Sequence, residues 1–198
     1  MAPRRPGALH PPPASLDDRQ LPIIAYRDTL YRIHRLHEGP AFWGKTGLNR
    51  FDAPAGEFGV VYAAADPQGA FIESYGDSLD RTVTSSYLNL RGWARVELTR
   101  DLRLVDLSGP GLAQIGADER LCSGDHDVAQ QWSLTLWRHS ASVDGLYYRA
   151  RHDPSRMSAA LFDRAKGAVS IVRDGGLLAA RHDALLADIL ETYQFSLL

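Results

Sequence analysis

The chain has little cysteine, no long apolar run and no excess of charge of one sign. Its 198 residues include a single cysteine, Cys122, which excludes an internal disulfide and a cysteine-based zinc site. No stretch is long enough for a membrane-spanning helix or for the apolar part of a secretory signal. The formal net charge is −2, without a lysine- or arginine-rich run, which argues against direct nucleic-acid binding. These absences predict a cytoplasmic protein that binds neither a membrane nor nucleic acid.

Proline is concentrated at one end of the chain. Residues 1–20 contain five of the eleven prolines and few large apolar residues, so this segment is predicted to be a disordered leader. Residues 21–198 are enough for one domain with its own core, and no internal repeat is visible in them.

Residues 39–46 read GPAFWGKT and match the pattern G-x-x-x-x-G-K-T of the phosphate-binding loop in nucleotide hydrolases. That loop requires a strand before it and a helix that begins at its Lys-Thr. Here the segment is followed by the glycine-rich stretch GLNRFDAPAGEFG, which is unfavourable for a helix. Within the segment, Pro40, Phe42 and Trp43 occupy positions that favour glycine. We therefore expect a mobile loop that places Arg50 over a ligand, and a nucleotide hydrolase ranks third among the functions considered.

Periodic patterns predict a mixture of strands and helices. Strands are expected at 30–36, at 59–64, twice within 93–109 with a turn at 100–101, and within 144–151, 157–164 and 168–176. Helices are expected from Ala70 onward, after a turn at 66–69, and across 125–139 and 184–195. Because strands and helices do not alternate regularly, the prediction is a single compact α+β domain with a mixed or antiparallel sheet.

Four polar residues stand in apolar surroundings: Arg32 in YRIHR, Arg50 in GLNRFDAP, Tyr62 in VVYAA and Glu73 in AFIES. A strand–turn–helix unit can direct Tyr62 and Glu73 toward one cleft, and the positive end of the helix would favour ionised Glu73. Arginine forks match phosphate oxygens, a carboxylate can stabilise an oxocarbenium-like transition state, and a tyrosine ring can stack on a flat group. The set suits a diphosphate joined to a reactive sugar, as in NAD. A glutamate that serves only its helix fits the pattern equally well.

Other candidate sites are weaker. His34 and His37 in HRLH lack a third ligand and would face opposite sides of a strand, so no metal site is expected. The GDHD stretch around His126 is expected to be surface structure. Ser133 lacks the sequence pattern of a serine hydrolase and is expected to fill a helix position.

Several stretches, in order, resemble the RES domain family, which comprises toxins of bacterial toxin–antitoxin pairs and their relatives. They are YRIHR, FWGKTGLNRFDAP, EFGVVYAA, GAFIES and DGLYYRARHDPSRMSAALFDR, and the similarity spans about residues 26–164. The resemblance implies an α+β fold related to ADP-ribosyltransferases. It also implies cleavage of the nicotinamide–ribose bond of NAD, with phosphate or a protein side chain as the acceptor. A helix-turn-helix antitoxin is the implied partner, a homodimer is compatible with it, and no cofactor is expected besides NAD as substrate.

The resemblance also implies roles for the four polar residues. Arg32 and Arg50 would hold the phosphates of NAD, and Tyr62 would pack near the nicotinamide ribose. Glu73 would orient that ribose and stabilise its positive charge as it develops. Arg32, Tyr62 and Glu73 are therefore the expected catalytic residues.

Two further residues in the matched stretches, Phe51 and Arg149, complete the expected NAD-binding set. One position next to Arg149 departs from the family pattern, because relatives read Y-R-S-R where this chain has Ala150. Neither Ser123 nor Asp127 is an obvious replacement for the missing serine. A lost hydrogen bond costs about 0.5–3 kcal/mol, so activity is expected to fall roughly ten- to a hundredfold. The alternative function is therefore a non-catalytic or weakly active NAD-binding module held by an antitoxin.

Overall fold

The computed structural model describes residues 9–198. Its strands are β1 (Ile23–Tyr26), β2 (Leu30–Arg35), β3 (Val60–Ala64), β4 (Thr82–Val83), β5 (Arg91–Leu98), β6 (Leu102–Leu107), β7 (Gly145–Arg149), β8 (Met157–Phe162), β9 (Val169–Gly176) and β10 (Ser196–Leu197). Its α-helices are α1 (Pro67–Tyr75), α2 (Ser85–Leu88), α3 (Gly109–Ile115), α4 (Arg120–Ser123), α5 (His126–Arg138) and α6 (Asp183–Thr192).

Eight strands form one sheet in the order β1-β6-β7-β8-β3-β2-β5-β9, and β10 pairs with β4 in a small second sheet. Within the large sheet β6 and β7 are parallel, whereas the other neighbours are antiparallel. This arrangement confirms the predicted α+β domain with a mixed sheet. The strand order also brings β2, β3, β7 and β8 to the middle of the sheet, so residues distant in the sequence meet there.

Helix α1 begins three residues earlier than predicted. Asp66 caps the helix by accepting a hydrogen bond from the Gly69 N–H at 2.7 Å, and Pro67 follows in the first turn, where its missing N–H costs nothing. The predicted turn at 66–69 is therefore the first turn of α1. As a result, Glu73 lies in the last turn of the helix, so the positive end of the helix does not act on it.

The predicted leader is wrong for residues 9–20, which pack against the domain. Leu16, in a short 3-10 helix at Ala14–Asp18, is fully buried. The Trp132 Nε1–H group donates to the His10 carbonyl at 2.7 Å, and Arg19 donates to the Ile115 carbonyl at 3.0 Å. A single well-placed leucine and a few carbonyl acceptors are enough to dock a proline-rich segment. Residues 1–8, the rest of the predicted leader, lie outside the described residues.

The segment that resembles a phosphate-binding loop has no helix behind it. Gly44 forms an antiparallel bridge with Val60, and the helix that follows in the chain is α1, which begins at Pro67. The segment is a loop, as predicted, and within residues 9–198 the structural context of a nucleotide hydrolase is missing. The mobility of this loop and its contact with a ligand stay predictions.

Candidate functional site

A cavity of about 410 Å³ opens between β2 and β3 and is covered on one side by α1. This volume lies within the usual range for small-molecule sites. The lining residues include all four polar residues singled out in the sequence and several others: Tyr31, Arg32, Ile33, Asn49, Arg50, Tyr62, Ala63, Ala64, Ala70, Glu73, Ser74, Asp77, His126, Tyr148, Arg151, His152 and Ser158. Arg32, Arg50, Tyr62 and Glu73 therefore share one cavity.

The cavity exists because β2 and β3 pair over a very short distance. They meet at Tyr31 opposite Ala64, whereas β3 pairs with β8 over five positions. Further along β3, the Val60 backbone exchanges two hydrogen bonds of 2.9 Å with Gly44 of the preceding loop. The loop thus takes the place beside β3 that β2 would otherwise fill, and the space between the two strands opens.

Arg32 crosses this gap. Its Nη1 group donates to the Tyr62 carbonyl on β3 at 3.0 Å, in place of a backbone donor from β2. Among residues 9–198, the buried Arg32 Nε–H group has no hydrogen-bond partner. Burial lowers the pKa of Arg32, an effect that the negative charge of Glu38 opposes, yet an arginine remains charged near neutral pH.

Arg50 approaches the same cavity from the loop at residues 46–52, here named the Arg50 loop. Its Nη1 group donates to the Gly124 carbonyl, and burial, followed by the charge of Arg151, lowers its pKa. The ion pairs of residues 9–198 involve neither Arg32 nor Arg50. Two partly buried cations without a carboxylate partner favour an anionic ligand.

Asp52 organises the Arg50 loop and was missed in the sequence. Its fully buried carboxylate accepts four hydrogen bonds, from Thr46 Oγ1 at 2.9 Å, the Asn49 N–H at 3.2 Å, Asn49 Nδ2 at 3.1 Å and the Tyr62 hydroxyl at 3.0 Å. The sequence did contain an indication of its role, because Asp52 stands between two apolar residues, Phe51 and Ala53. Asp52 fixes the loop from inside and thereby fixes the backbone that carries Arg50.

Helix α5 holds the outer side of the Arg50 loop. Gln130 Nε2 donates to the carbonyls of Gly47 at 2.8 Å and Asn49 at 3.0 Å. The buried Ser133 hydroxyl donates to the Phe51 carbonyl at 2.8 Å, so the expectation that Ser133 merely fills a helix position was wrong. The repeat of buried residues along α5 places both side chains on the face that packs against the loop.

His126, at the start of α5, also belongs to the site. It lines the cavity, and its Nδ1 atom lies 3.1 Å from the Leu48 carbonyl oxygen. His126 is exposed, which confirms the expected surface position of the GDHD stretch, and it also lines the cavity. No sequence signal tied this exposed histidine to the Arg50 loop, because the contact joins residues 78 positions apart.

Tyr62 contacts the Arg50 loop through its hydroxyl group. The hydroxyl donates to Asp52 and accepts from the Phe51 N–H, each at 3.0 Å. Burial, reinforced by the nearby Asp52 carboxylate, raises the pKa of Tyr62 well above its ordinary value, so the hydroxyl stays protonated. Tyr62 therefore connects β3 to the backbone beside Arg50, in addition to lining the cavity.

Two expected NAD-binding residues do not line the cavity. Phe51 is fully buried, and its ring packs edge-on against Tyr148 with the ring centroids 4.8 Å apart. Arg149 donates to the Pro154 carbonyl at 2.7 Å. Because side chains alternate along a strand, Tyr148 lines the cavity and its neighbour Arg149 faces the other side of β7. The position of these two residues does not support direct contact with a ligand in this cavity, whereas Arg151 lines it.

Glu73 is oriented by backbone donors. Its Oε1 atom accepts from the N–H groups of Arg151 at 2.8 Å and His152 at 3.4 Å. This contact depends on a close approach after α1, because a Cβ atom on Gly76 would lie only 2.3 Å from His152 Cγ. Glycine at position 76 thus lets the end of α1 reach the 150–156 turn, which fixes the Glu73 carboxylate at the cavity.

The position of the missing family serine lies outside the cavity wall. Ala150 is buried, and its N–H group donates to the Arg156 carbonyl at 2.9 Å. Ser123 does not replace it, because its hydroxyl donates to the Glu119 carbonyl at 3.0 Å, and neither Ser123 nor Asp127 lines the cavity.

Across residues 9–198 no group of three or more His, Cys, Asp and Glu side chains has the geometry of a metal site. Cys122 is buried, and burial raises the pKa of its thiol to about 12. Within the same residues no helix is long and apolar enough to cross a membrane.

The structure is that of an α+β protein with one cavity that is lined by Arg32, Arg50, Tyr62 and Glu73. Residues 29–185, more than three quarters of the chain, match the family model of the RES domain. The chain therefore belongs to the RES domain family, and the resemblance recognised in the sequence is confirmed.

Two known proteins extend the comparison. The chain is 30% identical over 105 residues to "Probable toxin y4kH" of Sinorhizobium fredii, which covers 52% of this chain and 80% of that protein. The fold of the present chain is similar to that of a chain in the crystal structure of the M. tuberculosis MbcT–MbcA toxin–antitoxin complex, with a TM-score of 0.60 and 16% identity. That match covers 84% of this chain and 91% of the other.

Proposed function

We propose that this RES domain protein cleaves the nicotinamide–ribose bond of NAD. The observation that carries the proposal is the meeting, in one cavity, of two arginines without carboxylate partners and a glutamate held by backbone donors. An anionic dinucleotide matches the two cations, and a sugar that becomes positively charged matches the carboxylate.

In the proposed reaction, Arg32 and Arg50 bind the diphosphate and hold the nicotinamide ribose beside Glu73. The bond between ribose C1′ and the nicotinamide ring nitrogen breaks, and its electron pair stays on that nitrogen, which neutralises the pyridinium charge. The Glu73 carboxylate stabilises the resulting oxocarbenium-like ribose until a nucleophile bonds to C1′. Electrostatic positioning of this kind commonly accounts for most of the rate enhancement.

The nucleophile is inorganic phosphate or a protein side chain, which makes the protein an NAD phosphorylase or an ADP-ribosyltransferase. Its similarity to a probable toxin and to a chain of a toxin–antitoxin complex supports a role as the toxin of such a pair. We expect an antitoxin of the helix-turn-helix type as its partner. The cytoplasmic location and a homodimer stay predictions.

The test is nicotinamide release from NAD by the purified protein, with and without phosphate, followed by chromatography. Glu73→Gln keeps the shape of the side chain and removes its charge, so release should fall by about 10²–10³-fold. Glu191→Gln is the matched control, because Glu191 is an exposed glutamate in the last turn of α6. Undiminished release by Glu73→Gln would remove Glu73 from the mechanism.

The alternative function, a non-catalytic NAD-binding module, is suggested by the departure of position 150 from the family motif, although Ala150 itself does not line the cavity. It predicts that NAD binds with measurable affinity and stays intact after long incubation at high protein concentration. Release that depends on phosphate would instead establish the phosphorylase, and labelling of protein side chains would establish the transferase.

A further inference from the structure

Ser158, on β8, carries a hydroxyl group whose place in the structure is not explained by the fold. Its side chain lines the cavity and is 2% exposed. The Oγ atom is buried and finds no hydrogen-bond partner within residues 9–198. Buried hydroxyls are nearly always hydrogen-bonded, because an unpaired one has lost its bonds to water without replacement.

A second residue that lines the cavity also has a buried polar group without a partner in the described part of the chain. Six side-chain polar atoms of the described residues are buried without a partner, and two of them, Ser158 Oγ and Arg32 Nε, belong to residues that line the cavity. An alanine at position 158 would leave no unpaired side-chain group. A ligand that supplies partners to both atoms accounts for their presence.

The position of Ser158 indicates which part of a ligand it meets. It lies directly opposite Tyr148 on β7 and Ala64 on β3, so these three side chains share one face of the sheet. Helix α1 covers this face closely, because a Cβ atom on Gly69 would lie 3.1 Å from Ala64 Cβ. Ser158 is therefore on the wall that faces α1, the helix that carries Glu73.

Tyr148 adds a second hydroxyl to this wall. Burial, followed by the negative charge of Glu73, raises the pKa of Tyr148 well above its ordinary value, so its hydroxyl stays protonated. With Glu73 as an acceptor nearby, this part of the cavity presents neutral hydroxyls and one carboxylate. Such a lining suits the hydroxyl groups of a sugar better than a phosphate, which Arg32 and Arg50 match.

We propose that the Ser158 hydroxyl hydrogen-bonds a hydroxyl of the ribose that carries nicotinamide. This inference rests on the proposed NAD cleavage and deepens it. Ser158 then supplies a hydroxyl to the cavity, whose lining does not include Ala150.

The experiment compares two ligands by titration calorimetry, ADP-ribose, which contains the second ribose, and ADP, which lacks it. Ser158→Ala should weaken ADP-ribose binding about tenfold and leave ADP binding unchanged. The melting temperature of the ligand-free protein should not fall, because the substitution removes an unpaired polar group. Ser170→Ala is the matched control, an exposed strand serine on β9 that should change neither affinity.

Equal ADP-ribose affinity in the wild type and Ser158→Ala, or an equal loss for both ligands, would overturn the role of Ser158 and leave the proposed function intact. Failure of the wild type to bind ADP-ribose, ADP and NAD would overturn both. If Ser158→Ala does not fold, Ser158→Cys keeps the shape with a much weaker hydrogen-bonding group and should show the same selective loss.

Discussion

The Arg50 loop and the sheet side of the cavity differ in whether their buried polar groups have hydrogen-bond partners. Arg32 and Ser158 form the sheet side. In the loop, the Asp52 carboxylate accepts four hydrogen bonds. On the sheet side, Arg32 Nε and Ser158 Oγ are buried and have no partner in the part of the chain that the structure describes. A satisfied polar network stabilises one conformation, whereas unpaired groups cost stability unless a ligand completes them. The loop therefore maintains the shape of the site, and the sheet side is suited to bind.

The largest expected effect is a loss of stability when the hydrogen-bond network of the Arg50 loop is broken, in contrast to changes on the sheet side of the cavity. Asp52→Ala leaves several donors of the Arg50 loop unpaired inside the protein, so it should lower the free energy of unfolding by about 3 kcal/mol. Urea denaturation measures this loss, with Asp127→Ala, an exposed residue of α5, as the control. A loss below about 1 kcal/mol would mean that the network does not hold the loop.

Arg32→Gln should show the opposite behaviour. It removes the charge that matches a diphosphate, so NAD affinity should fall roughly a hundredfold, as expected for charge-assisted hydrogen bonds. The free energy of unfolding should change by less than about 1 kcal/mol, because only one hydrogen bond, to the Tyr62 carbonyl, is lost. Arg27→Gln, at an exposed ion pair, is the control. Stability lost without a loss of affinity would assign Arg32 to the fold alone.

The smallest expected effect tests how Tyr62 acts. Tyr62→Phe keeps the ring and removes the hydroxyl that contacts Asp52 and the Phe51 N–H. We expect a loss of about 1–2 kcal/mol in the free energy of unfolding and a several-fold slower release of nicotinamide, because Arg50 is less well placed. A role limited to ring stacking predicts no change in either measurement.

The sequence was informative where a signal is local. The repeat of apolar residues at helical spacing located α5 to within one residue at each end. The period-two pattern located β5 and β6, whereas the strands β1, β4 and β10 were not predicted. The matched motifs indicated Arg32, Arg50, Tyr62 and Glu73 as members of one site. Polar residues within apolar stretches stand out in a sequence, because such residues are rarely buried without a structural or functional role.

The sequence was uninformative where the answer depends on contacts between distant segments. Gln130 and Ser133 resemble ordinary helix residues until the Arg50 loop packs on them. The side of β7 that Arg149 faces follows from strand register, which no local pattern specifies. The packing of residues 9–20 depends on partners more than a hundred positions away, such as Trp132.

The central claim, that Arg32 and Arg50 grip a diphosphate while Glu73 meets the second ribose, is tested most directly by a crystal structure of the protein with ADP-ribose. We expect diphosphate oxygens within hydrogen-bonding distance of both guanidinium groups and the second ribose beside Glu73 and Ser158. ADP-ribose bound outside the cavity, or inside it with its diphosphate away from both arginines, would contradict the account.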